Sequence, residues 1–220
     1  MVCNICYIRS YRNAVVLPSK RSTMREMWEQ RYGAEEYAYG REPNEFFKSE
    51  IGKIKPGRLL VAGAGEGRDA VYAATQGWQV DAFDLSEKGR EKALRLAADH
   101  GVQINFSVTD AARYVAVPGS YDAVALIYFH LPPVVRTHLY TEVIRGLKPG
   151  GVLVVEAFTP SQLSNNSGGP KDISMLVTAE VLRGLCADMR IVLCEETQTT
   201  LNEGPYHQGH ADIVRLIAVK

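Results

Sequence analysis

The sequence predicts an α/β fold, a mostly parallel sheet with helices on both faces. Three observations predict it. Short apolar runs alternate with amphipathic helical stretches through residues 58–158, which builds βαβ units. A glycine-rich turn follows the first of these runs and opens a helix. Near the C-terminus the alternation stops, and two strands follow one another without a helix, so they must pair antiparallel.

Residues 24–52 hold aromatics and charges, Trp28, Tyr32, Tyr37, Tyr39, Phe46 and Phe47, interrupted by Gly40 and Pro43; they read as one or two short helices around a loop. Lys55-Pro56-Gly57 is a turn signal. Strands follow at 58–62, 79–84, 103–108, 121–129 and 151–158, with helices at 68–76, 87–100 and 133–147 between them. Residues 161–171, rich in Ser, Asn, Gly and Pro, read as a loop, and Gly168–Asp172 is a candidate lid whose composition suits a mobile segment. A short helix at about 178–187 precedes the two final strands, 191–201 and 211–219.

The 220 residues suffice for one sizeable core, and the 46% apolar share is ordinary for a globular chain. Lys plus Arg equals Asp plus Glu at 25 each, and no long basic stripe occurs, which speaks against nucleic acid as partner. The longest apolar runs, 123–129 and 152–155, are too short to span a bilayer, so no membrane partner is expected. Cys3, Cys6, Cys186 and Cys194 are too sparse for a disulfide scaffold, which points to the cytoplasm. Cys3 and Cys6 form a lone CxxC without a second pair, and no metal is expected there. The first 25 residues hold no acid, and their apolar stretch is too short for a signal-peptide core. Residues 1–23 are read as a disordered or non-native extension, and 24–220 as a single domain whose first part, 24–52, is a cap. Oligomeric state is left open.

The strongest local signal is Leu59-Leu60-Val61-Ala62-Gly63-Ala64-Gly65-Glu66-Gly67-Arg68. A buried strand delivers the chain into a glycine turn that lets the backbone approach a ligand, and helix-start N–H groups favour an anionic group. A tight turn with no ligand is the plain alternative. Asp84, about 20 residues further on at the end of the second strand, can accept hydrogen bonds from ribose hydroxyls, with Ser86 the better candidate for capping the next helix. Asp81 has the opposite parity. Asp110, in Thr109-Asp110-Ala111-Ala112 after the third strand, can accept from an adenine amino group or simply cap a helix.

These features indicate an adenosine-type ligand. With Leu147-Lys148-Pro149-Gly150-Gly151 and the terminal antiparallel pair, the sequence resembles the class I S-adenosylmethionine-dependent methyltransferases from Lys55 onward. The segments around Trp28–Tyr32 and Tyr39–Phe46, with Tyr128-Phe129-His130-Leu131-Pro132, Gly168–Asp172 and Glu203–Gly209, are similar to the tellurite-resistance and thiopurine methyltransferase-like group. The resemblance implies a Rossmann-like seven-stranded sheet with an antiparallel C-terminal strand, and S-adenosyl-L-methionine as cofactor. It implies that Gly63, Gly65 and Gly67 pass under the methionyl part, that Asp84 meets the ribose, that Asp110 and Ala111 flank the adenine, and that Ala64, Arg68 and Leu85 also line the cofactor site. Ile127 and Tyr128 would face the sulfonium. One departure is Val61, where many such enzymes carry an acid.

His130, after the fourth strand, is the candidate for acid–base work, against the reading of a locally bonded histidine. Trp28, Tyr32 and Tyr39 can cap cofactor and substrate, and Arg31 and Arg41 can bind an anionic acceptor; the alternative is an amphipathic helix packed on the sheet. His207, His210 and Glu203 lie in a hairpin loop without a third ligand in view, so no metal is expected. The function expected is methyl transfer to a small molecule such as a thiol or chalcogen oxyanion. The rivals are a nicotinamide-dependent oxidoreductase, which lacks a Tyr-x-x-x-Lys motif here, and a non-catalytic cofactor-binding protein.

Overall fold

The computed structural model describes residues 20–220, with side chains from Met24 onward. The Cys3–Cys6 pair and the extension read at 1–23 therefore lie almost wholly outside the described residues. Two helices, α1 (Lys20–Tyr32) and α2 (Glu45–Ile51), precede the first strand. Then come β1 (Arg58–Ala62), α3 (Arg68–Thr75), β2 (Gln79–Asp84), α4 (Glu87–Asp99), β3 (Asn105–Val108) and β4 (Tyr121–Ile127). The chain continues through α5 (Pro133–Gly146), β5 (Leu147–Phe158), α6 (Ala179–Leu185), β6 (Arg190–Asn202) and β7 (Gln208–Val219).

The strands form one seven-stranded sheet in the order β3-β2-β1-β4-β5-β7-β6. β1 to β5 are parallel to their neighbours, and β7 runs antiparallel to both β5 and β6. Alternate residues of β1 serve opposite faces, as the strand period of two requires. Leu60 and Ala62 join Val124, Leu126 and Val155 in a core under α5 and α6, reaching Leu139, Val143 and Leu182. Leu59 and Val61 join Ala123, Ala125 and Val154 in a core under α2, α3 and α4, reaching Phe47, Ala70 and Ala93. Burial on both faces explains why the strands read as continuous apolar runs. Helix starts are set by side-chain caps: Asn44 Oδ1 accepts from the Phe47 N–H, Ser86 Oγ from Gly89, and Thr178 Oγ1 from Val181.

Two expectations need correction. The Leu147–Gly151 turn is not a connector ahead of β5 but part of it, because Tyr121 pairs with Leu147 and the register then shifts to Ala123 with Val152. Gly150 takes a φ of 78° inside that irregularity. The stretch read as a loop from 161 opens with a 3-10 turn, Pro160–Ser164, held by the buried Gln162. Gln162 Nε2 donates to Ser167 Oγ and Gly168 O, its Oε1 accepts from the Asp212 N–H, and Ser167 Oγ donates to His210 O.

The β6–β7 loop crosses the cap. Tyr206 N donates to Ala38 O, and the backbones of Gly40 (φ 73°) and Gly204 (φ 72°) touch. A Cβ on Gly204 would lie 2.3 Å from Gly40 N, closer than packing allows. Gly204→Ala is expected to cost about 2 kcal/mol or more, combining left-handed strain with overpacking. That corresponds to a fall of roughly 5 °C in the midpoint of thermal denaturation; an unchanged midpoint would contradict this crossing.

Candidate active site

Open α/β sheets bind ligands outside the carboxyl ends of the strands, where the strand order reverses. Here that point lies between β1 and β4, since β1 pairs with β2 on one side and β4 on the other. The turn after β1 holds Gly63, Gly65 and Gly67 at φ of 69°, 52° and 88°. Gly63 N and Ala64 N both donate to Phe83 O, which ties the turn to β2. A Cβ on Gly63 would meet the Phe129 ring at 2.4 Å, and one on Gly65 would meet Tyr32 Oη at 2.8 Å. Glycine is therefore required by conformation and by space, with Phe129 and Tyr32 roofing the turn.

Asp84 ends β2 against this turn. Its Oδ2 accepts from Gly65 N at 3.0 Å and its Oδ1 from Ser86 N at 3.0 Å. Burial pushes its carboxyl up to about 6, against the lowering effect of those N–H groups. Asp110 Oδ1 accepts from Ala112 N, closing a turn rather than capping a helix, and Ala111 is buried. Leu85 and Tyr128 are half-buried and Ile127 buried, at the carboxyl ends of β2 and β4.

The cap is fastened at two points. Glu29 accepts from Ser86 Oγ, Glu87 N and Lys88 N, so α1 sits at the N-terminus of α4. Burial opposes ionisation of Glu29, but these hydrogen bonds outweigh it and hold its carboxyl below the ordinary range. Lys92 Nζ donates to Ala34 O, Glu36 O and Glu66 Oε1, while Glu66 Oε2 accepts from Ala38 N. Glu66 belongs to the glycine turn, so one buried ion pair couples turn and cap.

On the β4–β5–β7 side lies a second group. Arg68 Nη2 donates to Glu203 Oε2 at 3.0 Å, and Asn44 Nδ2 bonds both Glu156 Oε1 and Glu203 Oε1. Arg215 Nε donates to Glu156 Oε2. His207 Nδ1 lies 3.0 Å from Glu203 Oε2. Burial alone would raise the Glu203 carboxyl, but His207 and Arg68 hold it down at about 2. Burial lowers His207, so the ring is neutral at pH 7, with its proton on Nδ1 toward the carboxylate and a lone pair on Nε2. Tyr128 takes the lone positive φ (49°) among described non-glycine residues, and its ring centroid lies 4.7 Å from that of His207. The Tyr128 hydroxyl is buried with no partner in hydrogen-bond geometry; burial, reinforced by the nearby Glu156 and Glu203 carboxylates, pushes it well above its ordinary value.

Three candidates are not where the sequence put them. Arg68 turns away from the turn it follows, to Glu203 and Tyr39 O, because the first turn of α3 carries its side chain toward the β6–β7 loop. Arg41 pairs with Asp99 on the surface and covers the Tyr37 ring. His130 Nε2 accepts from the Phe158 N–H at 3.0 Å, and its ring stacks on Phe158. Burial, reinforced by His207, holds His130 down at about 3, so it stays neutral. Nothing in the sequence marks Glu203 and His207 as a buried hydrogen-bonded pair beyond their four-residue spacing in the hairpin loop. Among the described residues no group of three or more His, Cys, Asp or Glu is arranged to hold a metal ion.

The turn and Asp84 fit S-adenosylmethionine: glycine backbone at positive φ, covered by Phe129 and Tyr32, beside a buried carboxylate with lone pairs to spare. Val61 is buried among apolar neighbours and offers no acid to the methionine end.

Comparison with known proteins agrees with this reading. Residues 59–151 match the family model described as a methyltransferase domain. No curated protein matches the chain significantly. A structure described for the conversion of a disulfide bond into a thioacetal group during echinomycin biosynthesis is 19% identical, with a TM-score of 0.71, covering 90% of this chain and 92% of that one. TehB from Haemophilus influenzae is 15% identical, with a TM-score of 0.65, over 89% of this chain and 66% of that one. The Burkholderia thailandensis 1,6-didemethyltoxoflavin-N1-methyltransferase, with its substrate and S-adenosylhomocysteine bound, is 20% identical, with a TM-score of 0.58, over 79% and 74%. The matched domain is a methyltransferase domain, the fold is the Rossmann-like fold of class I methyltransferases, and S-adenosylmethionine is the cofactor of that class. No helix among the described residues is long and apolar enough to cross a membrane.

Proposed function

We propose that the protein transfers a methyl group from S-adenosylmethionine to a small-molecule acceptor, a soft nucleophile such as a thiol or chalcogen oxyanion, within the cytoplasm. The observation that carries this reading is the junction of Gly65 and Asp84 at the carboxyl ends of β1 and β2, beside the sheet's switch point. Gly63 and Gly65 cradle the cofactor, Asp84 holds its ribose, and Asp110 with Ala111 borders its adenine. The bound cofactor supplies a methyl group already activated on a sulfonium. The protein's part is to align the acceptor lone pair and exclude water, which Tyr32, Phe129 and the cap do by covering the turn. A thiolate needs no base. A protonated acceptor can give its proton to Nε2 of His207, whose tautomer Glu203 sets. His130 ties β4 to β5, and its Nε2 lone pair is already taken by the Phe158 N–H.

Calorimetric titration with S-adenosylhomocysteine, NADH and NADPH tests the cofactor. Binding of the first alone is expected; binding of a nicotinamide nucleotide alone would overturn the reading. Release of S-adenosylhomocysteine with thiol, selenite, phenol and amine acceptors then separates an enzyme from a non-catalytic binder. His207→Gln is expected to slow phenol and amine methylation at least tenfold and leave thiolate methylation nearly unchanged.

A further inference from the structure

Arg31 stands on the last turn of α1, beside Tyr32 over the glycine turn. Its guanidinium carbon lies 5.0 Å from the Trp28 ring centroid and 4.6 Å from that of Tyr206. One Nη1–H donates to the Tyr39 hydroxyl at 2.7 Å. Arg25, Arg41, Arg68 and Arg90 each face a carboxylate. Half-buried Arg31 faces none among the described residues, and the first 25 residues contain no acid. Its Nε and Nη2 donate to no described group, and the residue is half-buried rather than sealed. A cation partly withdrawn from water without a counter-ion is a costly arrangement unless an anion arrives to share it. The rings relieve only part of that cost, and they leave the Nε–Nη2 edge, which suits two coplanar oxygens.

This box adjoins the acceptor side of the site. The Tyr39 ring lies 4.5 Å from His207, and His207 lies 4.7 Å from Tyr128 at the end of β4. We propose that Arg31 binds the carboxylate of the methyl acceptor, and that the acceptor is an aromatic acid that carries the nucleophilic thiol, its ring resting against Trp28, Tyr39 and Tyr206. This rests on the methyl-transfer reading. It separates the two arginines named from the sequence, since Arg41 is already paired.

The test is calorimetric titration of the S-adenosylhomocysteine-loaded protein with benzoate and with benzamide, its uncharged counterpart. Benzoate is expected to bind at least tenfold more tightly. Arg31→Met, which keeps an unbranched apolar side chain between the rings, should remove that preference while S-adenosylhomocysteine affinity holds. Arg31→Lys, which keeps the charge but not the planar edge, should lose most of it, and Arg41→Gln none. Equal affinity for the two probes, no benzoate binding, or an Arg31→Met protein that keeps the preference would each overturn the proposal. Failure of S-adenosylhomocysteine to bind would instead defeat the methyl-transfer reading; benzoate titrated into the unloaded protein would still judge the box.

Discussion

Asp84→Ala is expected to weaken S-adenosylhomocysteine binding about a hundredfold at pH 8, the loss of two hydrogen bonds to a charged acceptor at roughly 1.5 kcal/mol each. The variant also orphans Gly65 N–H and Ser86 N–H, so the glycine turn loses the group that shapes it. The same carboxyl makes binding depend on pH. Burial raises it from 3.8 to about 6. The folded protein therefore takes up a proton between these values, and the charged form costs about 3 kcal/mol of stability at neutral pH. As pH falls through 6 this group's contribution to stability improves. Ribose binding moves the other way, because only the carboxylate offers all its lone pairs to hydroxyl donors. Affinity for S-adenosylhomocysteine should be about tenfold lower at pH 5 than at pH 8 in the wild type and flat with pH in Asp84→Ala. A flat wild-type profile beside an unaffected variant would remove Asp84 from the cofactor site.

That the charged form is buried at a loss to stability bears on what could be read from sequence. The positions of β1 and β2 were legible to the residue, because an apolar run closed by Gly63 or Asp84 is a local signal and both strands are buried on two faces. Ser86 as a cap was legible for the same reason. The start of β5 was not, since pairing of Leu147 with Tyr121 across a register shift draws turn residues into a strand. Side-chain destinations were less legible still. Arg68 was read by its neighbours in the chain, but its partner Glu203 is 135 positions away. Asn44 meets Glu156 and Glu203 across 112 and 159 positions. His130 looked free because nothing in its surroundings in the sequence names the Phe158 N–H. The sequence offers no third ligand to make His207 and Glu203 a metal site, but Arg68, the cation that already neutralises Glu203, is invisible from that loop.

The buried pair of Lys92 and Glu66 gives the other large expectation. Both side chains are nearly sealed, and their charged atoms lie 2.6 Å apart. Lys92→Met leaves the Glu66 carboxylate unpaired in a site where burial already pushes its proton affinity up, and it strips Ala34 O and Glu36 O of their donor. Breaking one side of such a pair costs about 3–5 kcal/mol, a fall of roughly 10 °C in the thermal midpoint for a chain of this size. The loss should not be evenly spread. Glu66 belongs to the glycine turn and Ala34 to Ala38 belong to the cap, so amide hydrogen exchange should rise first across residues 34–40 while β1 and β4 stay protected. Tyr32, which covers the glycine turn, rides on the same cap, so S-adenosylhomocysteine affinity should fall with it. Adding Glu66→Gln to Lys92→Met removes the stranded charge and should recover about half of the lost stability. Recovery of stability without recovery of cofactor affinity would show that the pair holds the cap over the turn, and that packing alone cannot. An Lys92→Met protein with a wild-type midpoint and wild-type exchange at 34–40 would mean that Glu29 at the start of α4 is sufficient to hold the cap, and that the ion pair is not the latch.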